Sequence, residues 1–135
     1  MDEETGVGRE YRRASPWPLF VALGFVIGEL GIFLGILAFA VSGVVLFGGS
    51  VAGILSEAGY ARRPWRLLSV VGVLFVVLGA ALWAIRVPDP TLGSALADLS
   101  TDLVARRGAA VLGGGAILVV AGVVGAVWAP GDYLR

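Results

Sequence analysis

Two carboxylates, Glu29 and Glu57, are the only charged groups between Trp17 and Tyr60. Glu29 lies in the middle of an apolar run, and a charged carboxylate at the centre of a bilayer costs about 2.5–3.5 kcal/mol. The apolar runs hold no basic residue at comparable depth. Two interpretations follow: a proton or cation site, or a neutral acid that donates a hydrogen bond to another helix. The candidate acceptors are Ser42, Ser50 and Ser69.

Glu57 ends its apolar run close in sequence to Arg62 and Arg63. We therefore expect an interfacial ion pair, which would contribute less than about 1 kcal/mol. Trp65 in the same loop and Trp17 are residues that suit the headgroup region of a bilayer. The arginine-rich loop is predicted to bind anionic headgroups or to fix the topology.

The missing residue types exclude most chemistry. The chain has no His, Cys, Lys, Asn or Gln, and its ten basic groups, all arginines, balance ten carboxylates. Without imidazole or thiolate we expect no metal site, no redox centre and no cofactor. No nucleophile and base are paired in the sequence, so we expect no catalytic residues and no enzyme. A formal net charge of zero argues against a nucleic-acid partner.

A glycine stripe is the most specific pattern in the chain. Its members recur at spacings of 4, 3 and 4, which places them on one face of a helix. Small residues let another backbone approach closely within a membrane. The stripe is predicted either to pack inside this bundle or to dock onto a helix of another subunit. Its residues are Gly24, Gly28, Gly31 and Gly35.

Four apolar runs must carry these residues. The chain is 58% hydrophobic, against about 45–50% in soluble domains. At about 20 residues for each crossing, we predict an all-α membrane protein with four transmembrane helices. A tight turn is expected at residues 39–43. A cleaved signal peptide is the alternative for the first helix, because Arg12 and Arg13 precede it. The predicted spans are about 18–38, 41–57, 67–86 and 108–128.

An amphipathic surface helix is predicted at about 91–107, because four leucines recur there at spacings of 4, 3 and 4. Asp89 could cap it and Pro90 could occupy its first turn. It is expected on the membrane surface or against a partner, the alternative being packing on its own bundle. The leucines are Leu92, Leu96, Leu99 and Leu103.

Residues 1–15 are predicted to be a mobile polar tail, and residues 16–135 a single transmembrane domain. Seven arginines lie on the side of the amino terminus and three on the other. The positive-inside tendency then places both termini in the cytoplasm of a multi-pass cell-membrane protein.

The two halves of the sequence show signs of an internal repeat. Residues 16–19 and 64–67 match at an offset of 48, as do Gly24 with Gly72 and Gly31 with Gly79. A duplicated helical hairpin is one interpretation of these matches.

Two segments carry a resemblance to a known family. They read SPWPLFVALG, with Glu29 and Gly31 beyond it, and LFGGSVAGIL leading to EAGY. The chain resembles the haloarchaeal cox cluster proteins, small membrane proteins encoded beside cytochrome oxidase genes, most clearly over residues 15–66. The resemblance implies association with the membrane subunits of a haem-copper terminal oxidase, and it implies no residue roles.

The leading hypothesis is a non-catalytic accessory subunit or assembly factor of such an oxidase, surrounded by membrane lipid. The first alternative is a small proton-coupled transporter that uses Glu29, since four short helices with one carboxylate resemble the small multidrug resistance architecture. The second is a structural homo-oligomer that associates through the glycine stripe.

Overall fold

The computed structural model describes residues 14–87 and 91–129. Four helices in this part are long and apolar enough to cross a membrane. The predicted all-α architecture, with four crossings and a short additional helix, is therefore confirmed. The predicted tail falls almost wholly outside the described residues, as do Asp89 and Pro90. The helices are α1 (Trp17–Leu34), α2 (Leu37–Glu57), α3 (Pro64–Arg86), α4 (Leu92–Thr101) and α5 (Leu103–Trp128).

Two antiparallel hairpins make the bundle. α1 packs along α2, and α3 packs along α5, while the hairpins meet mainly where α2 contacts α5. No Cα atom of α1 lies within 8 Å of one in α3. We call the end with the starts of α1 and α3 the Trp65 end, and the opposite end the α4 end.

The turn between α1 and α2 lies at Gly35 and Ile36, so the predicted turn at residues 39–43 is wrong. Gly35 has a φ of 76°, and its amide donates to the carbonyls of Gly31 and Ile32. The Ile36 amide also donates to the Gly31 carbonyl, at 2.9 Å. This left-handed cap favours glycine and ends α1 at Leu34. Gly35 is therefore a turn residue, not a member of the packing stripe.

The amphipathic helix predicted at about 91–107 is present as α4, but it ends at Thr101 because Asp102 separates it from α5. The Asp102 backbone is extended, with φ −109° and ψ 118°. Its Oδ1 accepts hydrogen bonds from the amides of Val104 at 2.7 Å and Ala105 at 3.2 Å. This is the geometry of a helix N-cap, and α5 begins at Leu103 rather than 108. At the start of α4 the cap is Thr91, whose side chain accepts from the Ser94 amide.

Three glycines of the stripe pack inside the chain. Gly24, Gly28 and Gly31 are buried. A Cβ atom at Gly24 would lie 2.8 Å from the Cα of Phe47, and one at Gly31 would lie 2.7 Å from the Cα of Ala40. These distances are too short for any side chain. The stripe therefore lets the α1 backbone lie directly on α2, which is the first of the two predicted roles.

The second hairpin uses glycines at the matching positions. A Cβ at Gly72 would lie 2.7 Å from the carbonyl oxygen of Gly115, and one at Gly79 would lie 2.7 Å from that of Gly108. Gly72 and Gly79 are the residues that correspond to Gly24 and Gly31 at the offset of 48. Both hairpins are thus closed by backbone contact at equivalent points.

A substitution at Gly43 of α2 tests the close contact between α1 and α2. A Cβ at Gly43 would lie 2.7 Å from the carbonyl oxygen of Gly24 and would overlap the Gly28 backbone. Gly43→Ala should therefore lower the free energy of unfolding by about 1–3 kcal/mol, the usual cost of overpacking. The measurement is an SDS titration in mixed micelles, followed by circular dichroism.

Gly49→Ala is the matched control on the same helix, because nothing lies within 4 Å of a Cβ at Gly49. It should raise the free energy of unfolding by up to about 1 kcal/mol, because alanine favours a helix over glycine. Equal losses in the two variants would contradict the packing described for α1 and α2.

Candidate functional site

A cleft of about 230 Å³ lies between α1 and α3, with α2 and α5 forming its floor. We call it the α1/α3 cleft. It exists because the two glycine-closed hairpins meet through α2 and α5 and leave the other two helices apart. Its lining residues include Phe25 and Glu29 of α1, Phe47 of α2, Phe75 and Leu78 of α3, and Arg107 of α5.

The deeper part of the cleft is apolar. The rings of Phe47 and Phe75 stack across the floor, with centroids 6.2 Å apart and an interplanar angle of 23°. Gly24 and Gly28 leave the α1 wall without side chains at this depth. Aliphatic and aromatic surface therefore dominates the cleft below its charged end.

An ion pair stands at the end of the cleft nearer α4. The Arg107 guanidinium donates from Nε to Oε1 of Glu29 at 3.3 Å and from Nη2 to Oε2. The two side chains are 41% and 40% exposed. The expectation that no basic residue lies at the depth of Glu29 is therefore wrong. It failed because α5 starts at Leu103, which brings Arg107 into the membrane-crossing helix.

The serines proposed as partners of Glu29 bond to their own helices instead. The hydroxyls of Ser42, Ser50 and Ser69 donate to backbone carbonyls four residues earlier, at 2.7, 2.6 and 3.2 Å. Ser50 is buried, at 1% exposure. The interhelical hydrogen bond predicted for Glu29 is thus replaced by a charge pair.

The depth of the pair explains how both charges are tolerated. Glu29 lies five residues before the end of α1, and Arg107 lies four residues after the start of α5. At 1.5 Å for each residue, both Cα atoms are about 6–8 Å from their helix ends. Opposite charges placed so near an interface avoid the full penalty of an isolated charge at the bilayer centre.

Arg106, the neighbouring residue, ties three segments together. Its Nη1 donates to the Ile32 carbonyl at 2.6 Å, near the end of α1. Its Nε and Nη2 donate to the carbonyls of Leu99 and Ser100, each at 2.9 Å. A cation near two helix C-termini satisfies free carbonyls and complements both helix dipoles. Arg106 therefore holds α4 against the end of the bundle.

Arg86 fixes the same end through Asp102. Its Nε donates to Oδ2 of Asp102 at 2.9 Å, and its Nη2 lies 2.8 Å from the same oxygen. Desolvation raises the pKa of the Asp102 carboxyl, but the hydrogen bonds from Ala105, Val104 and Arg86 outweigh it and lower the pKa below 3.8. The cap of α5 is therefore charged at neutral pH.

The leucine face of α4 does not pack into the bundle. Leu92 and Leu96 are 77% and 58% exposed, and Leu103, at the start of α5, is 51% exposed. Leu99 is half-buried. The alternative that this helix packs on its own bundle fits only Leu99. The remaining leucines present an apolar face at the α4 end.

At the Trp65 end, the two predicted interfacial tryptophans cover glycines. A Cβ at Gly53 would lie 2.6 Å from the Trp17 ring, and one at Gly125 would overlap the Trp65 ring. Glu57 forms no ion pair with Arg62 or Arg63, all three being described residues. The predicted interfacial pair is therefore absent, and the arginines of this loop keep their charge uncompensated by Glu57.

Chemically, the cleft combines a wide apolar surface with one neutralised charge pair. Within residues 14–87 and 91–129, no three acidic, histidine or cysteine side chains cluster as metal ligands. The described side chains therefore suit the cleft to contact with apolar side chains or lipid chains.

Comparison with known proteins identifies the family. The chain belongs to the family of unknown function DUF7541, whose model matches residues 1–128. No curated protein and no solved structure matches the chain.

The Glu29–Arg107 pair can be measured by a double-mutant cycle. Glu29→Gln and Arg107→Gln should each destabilise the protein, because each leaves one charge unpaired in the membrane. The double variant should recover a coupling free energy of roughly 0.5–3 kcal/mol. Unfolding in SDS mixed micelles gives the four free energies.

The control cycle pairs Arg107→Gln with Glu57→Gln. Glu57 makes no ion pair with a described residue, so these two effects should add. Additive effects in the Glu29 cycle as well would contradict the pairing.

Proposed function

We propose that the protein is a non-catalytic integral membrane accessory subunit or assembly factor of a haem-copper terminal oxidase. The α1/α3 cleft is proposed to receive a membrane helix of that oxidase. The observation that carries the proposal is the open side of the bundle, where no Cα of α1 comes within 8 Å of α3. A helix laid along this opening would contact both hairpins at once.

The rims of the cleft suit a helix of apolar side chains. Phe25 on the α1 rim is 59% exposed, and Leu78 on the α3 rim is 53% exposed. Since lipid tails are as apolar as leucine, association in a membrane depends on packing into complementary shapes. A concave strip between two aromatic and aliphatic rims provides such a shape.

The proposed contact face differs from the glycine stripe. Gly24, Gly28 and Gly31 are buried against α2, so they are occupied within this chain. Phe25 lies one residue beyond Gly24 and points to the opening. The partner face of α1 is therefore assigned to the edge beside the stripe.

The identity of the partner is supported by the resemblance to the cox cluster proteins. That resemblance is clearest over residues 15–66, which include α1 and α2 and therefore one wall and half of the floor of the cleft. The chain carries no His, Cys or Lys, so haem and copper ligation would come from the partner.

The proposed orientation puts the Trp65 end in the cytoplasm. Arg62, Arg63 and Arg66 lie at that end, in the short loop before and at the start of α3. Short loops rich in arginine remain on the cytoplasmic side. Both termini would then be cytoplasmic, and α4 would lie on the outer face of the cell membrane.

A proton-coupled transporter is less well supported. Such a carrier needs a carboxylate that exchanges its partner during transport, whereas Glu29 is held by two hydrogen bonds from Arg107. The deeper part of the cleft adds aromatic rings and glycines. These groups favour packing over the binding of a solute.

Site-specific photo-crosslinking tests the oxidase proposal. Benzoylphenylalanine placed at Phe25 or Leu78 in cells should crosslink to a membrane subunit of the oxidase. Val120 of α5 is the matched control, because it is 61% exposed but does not line the cleft. Mass spectrometry of the crosslinked bands identifies the partner.

Deletion provides a second measurement. The haem content of the purified oxidase, or its yield, should fall when the chain is absent. Three results would sink the proposal: crosslinks only to a second copy of this chain, equal crosslinking from Val120, or an unchanged oxidase that never contains the chain.

A further inference from the structure

Two grooves flank the first turns of α3 at the Trp65 end. One lies between α3 and α5, has a volume of about 300 Å³ and is lined by Ser69, Val123 and Ala126 among others. We call it the α3/α5 groove. The other has a volume of about 360 Å³ and is lined by Ala61, Leu67 and Val70 with the arginines of the loop. We call it the loop groove.

Arg63 and Arg66 line both grooves. Arg63 is the N-cap residue of α3 and Arg66 lies in its first turn, so both side chains belong to the same end of the helix. Arg62 lines the loop groove alone. The two guanidinium groups therefore stand between two apolar channels.

These arginines carry charge that nothing in the described chain compensates. The ion pairs of residues 14–87 and 91–129 are Arg86 with Asp102 and Arg107 with Glu29. Both lie at the α4 end, and Glu57 forms no ion pair with a described residue. The arginines at the start of α3 thus offer donors to an external anion, and planar guanidinium groups suit phosphate oxygens.

Both grooves lead from the arginines into the membrane. Val70 is 51% exposed in the loop groove, and Val123 and Val127 are 52% and 76% exposed in the α3/α5 groove. From Arg63 to Val70 the helix rises about 10 Å. This length fits the upper part of a lipid chain. Each groove therefore has charge at its arginine end and apolar surface below it, the order found in a phospholipid.

We propose that this end of the protein holds one two-chain phospholipid with an anionic headgroup. Its phosphate lies between Arg63 and Arg66, one chain follows the α3/α5 groove, and the other follows the loop groove. The site is independent of the α1/α3 cleft and of the oxidase proposal, because it lies at the opposite end of α3 from Arg107.

The test uses the full-length protein in phosphatidylcholine nanodiscs with spin-labelled lipids. Electron paramagnetic resonance should show a motionally restricted fraction that is larger for phosphatidylglycerol than for phosphatidylcholine. Arg63→Gln/Arg66→Gln should lower this selectivity by about tenfold or more, because each arginine near a phosphate is worth about fivefold in affinity. Arg62→Gln should lower this selectivity by less than Arg63→Gln alone or Arg66→Gln alone.

Variants that fill a groove distinguish a specific lipid site from general electrostatic attraction between the arginines and anionic lipid. Ala126→Phe fills the α3/α5 groove without changing charge and should reduce the selectivity for phosphatidylglycerol. Ala121→Phe is the matched control, since Ala121 is exposed on the same helix but lines neither groove. It should leave the selectivity unchanged.

Two further probes complete the test. Lysophosphatidylglycerol, with one chain, should compete less well than the two-chain lipid, and inorganic phosphate should not compete. Loss of selectivity in Arg62→Gln equal to that in Arg66→Gln would overturn the proposal, as would an unaltered selectivity in Ala126→Phe. Circular dichroism of every variant checks that its helices are retained.

Discussion

The fold depends on one constraint, which is that lipid gives helices no hydrophobic reason to associate. Contact must come from close packing, and this chain obtains it where glycines bring backbones together. A Cβ atom at Gly31 or at Gly79 would lie 2.7 Å from backbone atoms of the facing helix. The two hairpins are therefore closed tightly by the same device. The hairpins contact each other less than their own helices do, and α1 does not touch α3. The α1/α3 cleft is the space between these two helices.

A second constraint is that charge in a membrane must be paired or placed near an interface. Arg107 forms an ion pair with Glu29, and Arg106 donates hydrogen bonds to carbonyls at the ends of α1 and α4. Both arginines take these positions because Asp102 caps α5 just before them. One capping residue thus sets the register of α5, the pairing of Glu29 and the attachment of α4. The Trp65 end lacks such internal pairing among the described residues, which is why its arginines are open to an external anion.

Hydropathy was sufficient to predict four crossings, because each span is a long apolar run. It was not sufficient to place the breaks. Gly35 continues the glycine spacing of the stripe, yet a glycine after an apolar run is also a signal for a left-handed cap. Asp102 lies within the leucine periodicity that predicts one helix at about 91–107, yet an aspartate directly before an apolar run is a capping signal. A cap at Asp102 places Arg107 inside α5, at a depth comparable to that of Glu29. The α1/α3 cleft depends on which helices touch, and no local pattern encodes that.

The hairpins meet mainly through α2 and α5, while α1 and α3 remain separate. The chain has no cysteine, so introduced pairs can be oxidised without background. Val41→Cys/Gly113→Cys joins α2 to α5, since a Cβ at Gly113 would lie 3.5 Å from a Val41 methyl group. It should form a disulfide rapidly in native membranes, whereas Phe25→Cys/Leu78→Cys, across the cleft, should not. A disulfide across the cleft, with none between α2 and α5, would contradict this arrangement of the helices.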